Sequence, residues 1–126
     1  MDVISTDHAP HSEEEKKRSI AEAPFGITGL ETSLCLTYTE LVEKGILTPM
    51  QMVEKMSYNP AKIIGIDRGT LLPGAVADIT VMNPKTEFVI DRNDFASMGH
   101  NTPFDGRKVK GAVVMTMVGG KIVYEA

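Results

Sequence analysis

The chain has 126 residues, a net charge of −4 from 13 Lys and Arg against 17 Asp and Glu, and one cysteine. The acidic balance leaves no global basic field for nucleic acid, and no apolar run approaches the roughly 20 residues of a membrane span. Cys35 cannot form an internal disulfide and no charged, apolar and small-residue signal opens the chain, which fits a reducing cytoplasm.

The β-branched Val3 and Ile4 predict a strand over 2–6, followed at once by Asp7, His8 and His11. Pro10 stops the strand because it lacks the amide proton that further pairing needs. In a parallel α/β barrel the C-terminal ends of the strands share one mouth, so an aspartate just past an apolar run is placed for catalysis or metal binding. Next, Ser12-Glu13-Glu14-Glu15 is a capping-box pattern, with Lys16, Lys17 and Arg18 a turn later, and predicts a short exposed helix over 13–19.

Pro24, Gly26 and Gly29 make 20–29 an irregular loop, in which Gly26 permits close backbone approach and Phe25 reads as a buried ring in a tight turn. Thr28-Gly29-Leu30-Glu31 repeats the capping-box pattern, and Leu30, Leu34, Tyr38, Leu41 and Val42 follow at helical spacing to a left-handed cap at Gly45. Cys35 within that helix reads as a small packed side chain, since no basic neighbour stands at helical spacing to activate it. Thr48-Pro49-Met50-Gln51 starts a third helix, with Met50, Met52, Val53 and Met56 as its apolar side, and Asn59-Pro60 starts a fourth.

Helical spacing disappears beyond Gly65, and a domain boundary is expected near 64–68, giving segments 1–64 and 65–126. Strands are expected over 76–82, 87–90, 111–118 and 121–124, the last two joined by a Gly119-Gly120 hairpin turn. His100, in the loop between, is expected to stabilise that loop through a hydrogen bond.

Thr6-Asp7-His8-Ala9-Pro10-His11, Ala23-Pro24-Phe25-Gly26-Ile27 and Gly29-Leu30-Glu31-Thr32 resemble the last part of a bacterial-type dihydroorotase of the amidohydrolase superfamily. The resemblance continues through Asn59-Pro60-Ala61, Pro73-Gly74-Ala75-Val76-Ala77-Asp78, Asn101-Thr102-Pro103-Phe104 and Val118-Gly119-Gly120-Lys121, and so covers essentially the whole chain. It implies an α/β chain: the last strand and helices of a (β/α)8 metal-dependent hydrolase barrel, then part of a small β-sandwich domain built from both chain ends. Such a barrel typically needs about 250 residues, and Met1 stands directly before the strand expected over 2–6. The chain is therefore expected to be the C-terminal portion of a longer polypeptide.

The same resemblance implies two zinc ions in the complete protein, with Asp7 as the one metal ligand carried here and as the catalytic base and acid. It gives His11 the substrate carboxylate and sets the Phe25-Gly26 backbone against the substrate ring. His8 has no role carried over; support of Asp7 is the expectation. On bare residues Asp7, His8 and His11 fall short of a zinc site, which takes three protein ligands plus water. Because Asp7 alone of the ligand set implied by the resemblance is present, this segment is expected to be inactive alone and to retain no zinc. The substrate pair implied is dihydroorotate and N-carbamoyl-L-aspartate, in a cytoplasmic homo-oligomer, with aspartate transcarbamoylase as a further partner. Two alternatives stay open: a non-catalytic assembly partner of that transcarbamoylase, and a different cyclic amidohydrolase such as a hydantoinase or allantoinase.

Overall fold

The computed structural model describes residues 1–126, with helices in the first half and a three-stranded antiparallel sheet in the second. Helix α1 (Glu13–Lys16) opens with the expected capping box: Ser12 Oγ accepts from Glu15 N at 3.2 Å, and Glu15 Oε2 accepts from Ser12 N at 3.0 Å. It is shorter than the span to residue 19.

Helix α2 (Leu30–Thr37) runs directly into a π-helical segment, Tyr38–Val42. Its expected capping box does not form. The N-cap is Gly29, Thr28 is fully buried with its hydroxyl unpaired, and Glu31 Oε1 instead accepts from Ser97 N at 2.9 Å. Helix α3 (Pro49–Val53) does begin with its box, Thr48 and Gln51 exchanging bonds of 2.8 and 3.2 Å.

No separate fourth helix starts at Asn59. The backbone stays helical from α3 through a π-helical segment, Glu54–Tyr58, into α4 (Asn59–Ile64). Pro60 has no amide for the preceding turn, and the wider π-type turn just before it accommodates both the missing bond and the ring. Gly65, left-handed at φ 72°, closes the helix. Met52 alone of the apolar side is buried, while Met50 and Val53 are exposed. No helix is long and apolar enough to cross a membrane.

Strand β1 (Ile79–Val89) joins the two segments expected at 76–82 and 87–90 into one. It pairs with β2 (Lys108–Val118), and β2 pairs with β3 (Lys121–Glu125). The β1–β2 register slips between Val81 and Met82 and again between Asn83 and Glu87, where Pro84 cannot donate to the ladder. Gly119 and Gly120, with φ 55° and 80°, make the two-residue turn between β2 and β3, both in the left-handed region that hairpin twist demands. Asp78 Oδ1 accepts from Gly119 N at 2.7 Å and ties this turn to the start of β1.

The expected strand over 2–6 does not form a ladder. Ile4 N donates to Lys55 O at 3.0 Å, and the only pairing nearby is one parallel bridge between His8 and Ile27. A barrel strand takes its hydrogen bonds from neighbours on both sides, and no other extended segment of this chain lies alongside it.

The buried cluster is Cys35 of α2 with Ile90 and Val109, flanked by Leu36, Phe95 and Phe104, so it lies between the helical half and the sheet. Cys35 is the packed side chain expected, and burial pushes its thiol pKa up, which keeps it protonated and a poor nucleophile. Only 11 of 126 residues are buried, and Ile20, Leu71, Leu72 and Met98 stand open to solvent, so this core is thin for the length of chain.

Candidate functional site

The segment 6–11 is held from three sides. Ala9 N donates to Ile27 O at 2.9 Å, which fixes it to the Phe25-Gly26 loop. His8 Nδ1 accepts from Gly29 N at 3.0 Å and from Leu30 N at 3.3 Å. Those are orphan donors at the start of α2, so His8 caps that helix in place of Thr28, a local job different from the expected support of Asp7. With Nδ1 accepting, the ring proton belongs on Nε2.

Asp7 is exposed and is the only residue other than glycine with a positive φ, 45°. Aspartate tolerates that region better than most residues, but the conformation still carries strain that the bonds on either side must hold. The turn takes the Asp7 backbone out of the extended path just before the bridge at His8.

His11, Phe25 and Gly26 are brought together. His11 Nε2 lies 2.8 Å from Phe25 O, and because a carbonyl only accepts, Nε2 carries the proton. Its Nδ1 faces Glu15 Oε2 at 3.8 Å. Gly26 sits at φ 126°, and a Cβ there would lie 2.5 Å from Ala9 Cβ and 3.3 Å from His11 Nε2. Only glycine fits such an approach. Phe25 is not the buried ring that the turn pattern suggested: it is 94% exposed, so the chain leaves its apolar face uncovered beside His11.

Two residues that sequence reasoning did not assign complete the loop. Lys16 Nζ donates to Pro24 O at 3.0 Å and Gly26 O at 3.2 Å. Asn101 Nδ2 donates to Gly26 O at 3.0 Å and Ala9 O at 3.3 Å, while its Oδ1 accepts from His11 N at 3.0 Å. The carbonyls of Pro24, Phe25 and Gly26 are thus all claimed by side-chain donors. His100, next to Asn101, packs its ring edge-on against Phe95 with centroids 6.5 Å apart, and its loop hydrogen bond comes from the main chain, the carbonyl accepting from Thr102 N at 3.0 Å.

Cavities of about 340 and 370 Å³ lie along β1 and β2 and between α2 and those strands, and neither is lined by Asp7 or His11. As for metal, no group of three or more His, Cys, Asp or Glu side chains is gathered that could hold an ion. Both imidazoles of the segment spend one nitrogen on backbone partners. That leaves the Asp7 carboxylate and one nitrogen on each imidazole, with no three such donors gathered, so no metal-dependent step follows from this chain alone.

The sequence pattern of the amidohydrolase family matches residues 1–123. The chain belongs to that family. It is similar to a dihydroorotase of Pelotomaculum thermopropionicum, 54% identical over 125 residues that make up 99% of this chain and 29% of that protein. A dihydroorotase of Geobacter metallireducens is 56% identical over the same shares. Among solved structures, the L-hydantoinase (dihydropyrimidinase) of Arthrobacter aurescens superposes with a TM-score of 0.92 at 38% identity, over 99% of this chain and 29% of that one. The D-hydantoinase (dihydropyrimidinase) of a Thermus species gives 0.91 at 28%, over 99% and 28%. The amidohydrolase chain therefore spans about 29% of the length of the curated relatives it matches.

Proposed function

We propose that the complete protein is a dihydroorotase, catalysing the reversible hydrolysis of (S)-dihydroorotate to N-carbamoyl-L-aspartate in pyrimidine biosynthesis. The observation that carries the reading is the identity of 54 to 56% to proteins named dihydroorotase across 99% of the chain, against 38% to a hydantoinase of nearly the same backbone. Residues 1–64 would be the end of the hydrolase barrel and 65–126 part of the small β-sandwich domain. The protein would be cytoplasmic and homo-oligomeric.

Two zinc ions, for which Asp7 would offer one ligand oxygen and residues of the complete protein outside this chain the rest, would supply an acidified water and a polarised carbonyl. The Asp7 carboxylate takes the proton of the attacking water and passes it to the departing ring nitrogen, base first and acid second. His11 binds the substrate carboxylate by a charge-assisted hydrogen bond. To do so its Nε2–H exchanges the Phe25 carbonyl for the substrate. The Phe25-Gly26 backbone lies against the ring, a job supported by amides that take no acceptor from the chain.

The test is a substrate panel of dihydroorotate, hydantoin and allantoin, run with the complete zinc-loaded protein and with the 126-residue chain. The complete protein is expected to prefer dihydroorotate and the 126 residues to hydrolyse none. Preference for hydantoin or allantoin, which the shared backbone with hydantoinases makes the natural second reading, would replace the proposal. No turnover at all would favour a non-catalytic assembly partner of aspartate transcarbamoylase.

A further inference from the structure

The side chain of Asn101 makes three contacts, each across at least 75 positions of sequence, and all three end on the segments that carry His11 and Gly26. An amide side chain has one accepting and one donating end, and here each meets its complement: Oδ1 takes the His11 amide, and Nδ2 gives to Ala9 O and Gly26 O. Rotating the group by half a turn would set donor against donor and acceptor against acceptor, so its orientation is unambiguous. The Asn101 main chain adds a fourth link, its carbonyl accepting from Thr28 N at 3.0 Å.

A second observation is independent of these bonds. Gly99 is buried, and a Cβ there would lie 2.8 Å from Pro10 Cβ and 3.0 Å from His11 N. The loop before β2 is therefore pressed onto the backbone of the Pro10-His11 segment as closely as atoms allow.

We propose that Asn101 is a positioning residue for substrate binding: from the C-terminal half of the chain, it locks the His11 main chain and the Phe25-Gly26 loop into one relative geometry. Asn101 touches no reacting atom. It acts through His11 and Gly26, the groups assigned to the acidic ring substrate, and so rests on the dihydroorotase reading. Losing the lock leaves each group present but free to shift, which weakens binding of an anionic ring more than it slows proton transfer at Asp7.

The test compares Asn101→Ala and Asn101→Asp with the unaltered complete, zinc-loaded protein. Asn101→Asp is nearly isosteric, keeps the acceptor for His11 N and removes the donor to Ala9 O and Gly26 O, so it serves if Asn101→Ala fails to fold. KM for dihydroorotate is expected to rise about tenfold or more in either variant while kcat stays within about threefold. A merely structural role would reduce the active fraction, lowering apparent kcat and leaving KM alone. A KM rise below about fivefold in Asn101→Asp overturns the proposal.

The second readout is amide hydrogen exchange over 9–11 and 24–28, which needs no substrate. Asn101→Ala should speed exchange in both stretches, whereas Asn101→Asp should spare the His11 amide. Unchanged exchange in Asn101→Ala overturns the lock. If the unaltered protein fails to turn over dihydroorotate, the activity reading falls by itself, and the exchange experiment still decides the lock.

Discussion

In the C-terminal half, β2 is paired along its length, with β1 on one side and β3 on the other. In the N-terminal half, the equally β-branched run Val3-Ile4 obtains one amide bond to Lys55 O and the segment one bridge at His8. Intrinsic preference for extended backbone is similar in the two places; supply of partners is not. An antiparallel neighbour arrives through a two-residue turn, as from β2 to β3, whereas a parallel neighbour needs a crossover of a dozen residues or more. The sheet finds both neighbours of β2 within this chain, β3 through a two-residue turn and β1 across residues 90–107, whereas the segment that bears Asp7 is held by loops, a helix start and the Asn101 side chain.

The largest effect that could break this contrast concerns the cluster between the halves. Ile90→Ala removes a side chain 4% exposed and should cost about 2–4 kcal/mol in denaturant unfolding. If the two halves share that cluster, amide exchange should quicken in α2 as well as in β2. Faster exchange confined to the sheet would show that the halves are stabilised separately.

A smaller effect is expected at the hairpin. Gly120→Val places a branched residue at φ 80° with no neighbouring atom to meet its Cβ, so the cost is purely conformational. It should be about 1–2 kcal/mol, read as selective loss of protection in β3. Loss of protection over 6–11 as well would contradict the local character of the sheet.

Asp78 supplies a pH-dependent version of the same test. Hydrogen bonding from Gly119 N–H, then from Arg68, holds its carboxyl below the usual carboxylate range. A folded value below the unfolded one means that the stabilising contribution is complete above the ordinary aspartate pKa of about 3.9 and is lost as pH falls through the depressed value. Asp78→Asn should therefore flatten the acid limb of hairpin protection and leave exchange over 6–11 unaltered. An unchanged acid limb would remove Asp78 from the account.

The smallest effect, and one of opposite sign, is at Asp7. Asp7→Gly relieves a left-handed φ of 45° and should change stability by about 1 kcal/mol or less, toward stabilisation. Clear destabilisation would mean that its carboxylate contributes to the fold.

Short-range features were legible in the sequence and long-range ones were not. The boxes at Ser12 and Thr48 form because both partners are three residues apart and nothing else claims them. The matching pattern at Thr28 fails because Thr28 is buried, His8 caps the helix and Glu31 turns to Ser97. Pro60 read as a helix start, although the preceding π-type turn lets the helix run on through it. In the candidate site, family resemblance singled out His11, Phe25 and Gly26, and the structure brings the three together. The Asn101 contacts were not legible, since they span 75 to 92 positions and have no periodicity for a reader to detect. Only the Asn101-Thr102-Pro103-Phe104 string hinted at them.

The central claim is that Asp7 is the proton-transferring carboxylate of a cyclic amide hydrolase. Its most direct test is dihydroorotate turnover by Asp7→Asn in the complete zinc-loaded protein, since asparagine keeps the shape and tolerates the same φ but cannot carry the proton. Turnover is predicted to fall by about 10²-fold or more, in the range typical of a lost general base, with the fold intact by circular dichroism; turnover within about threefold of the unaltered protein would contradict the account.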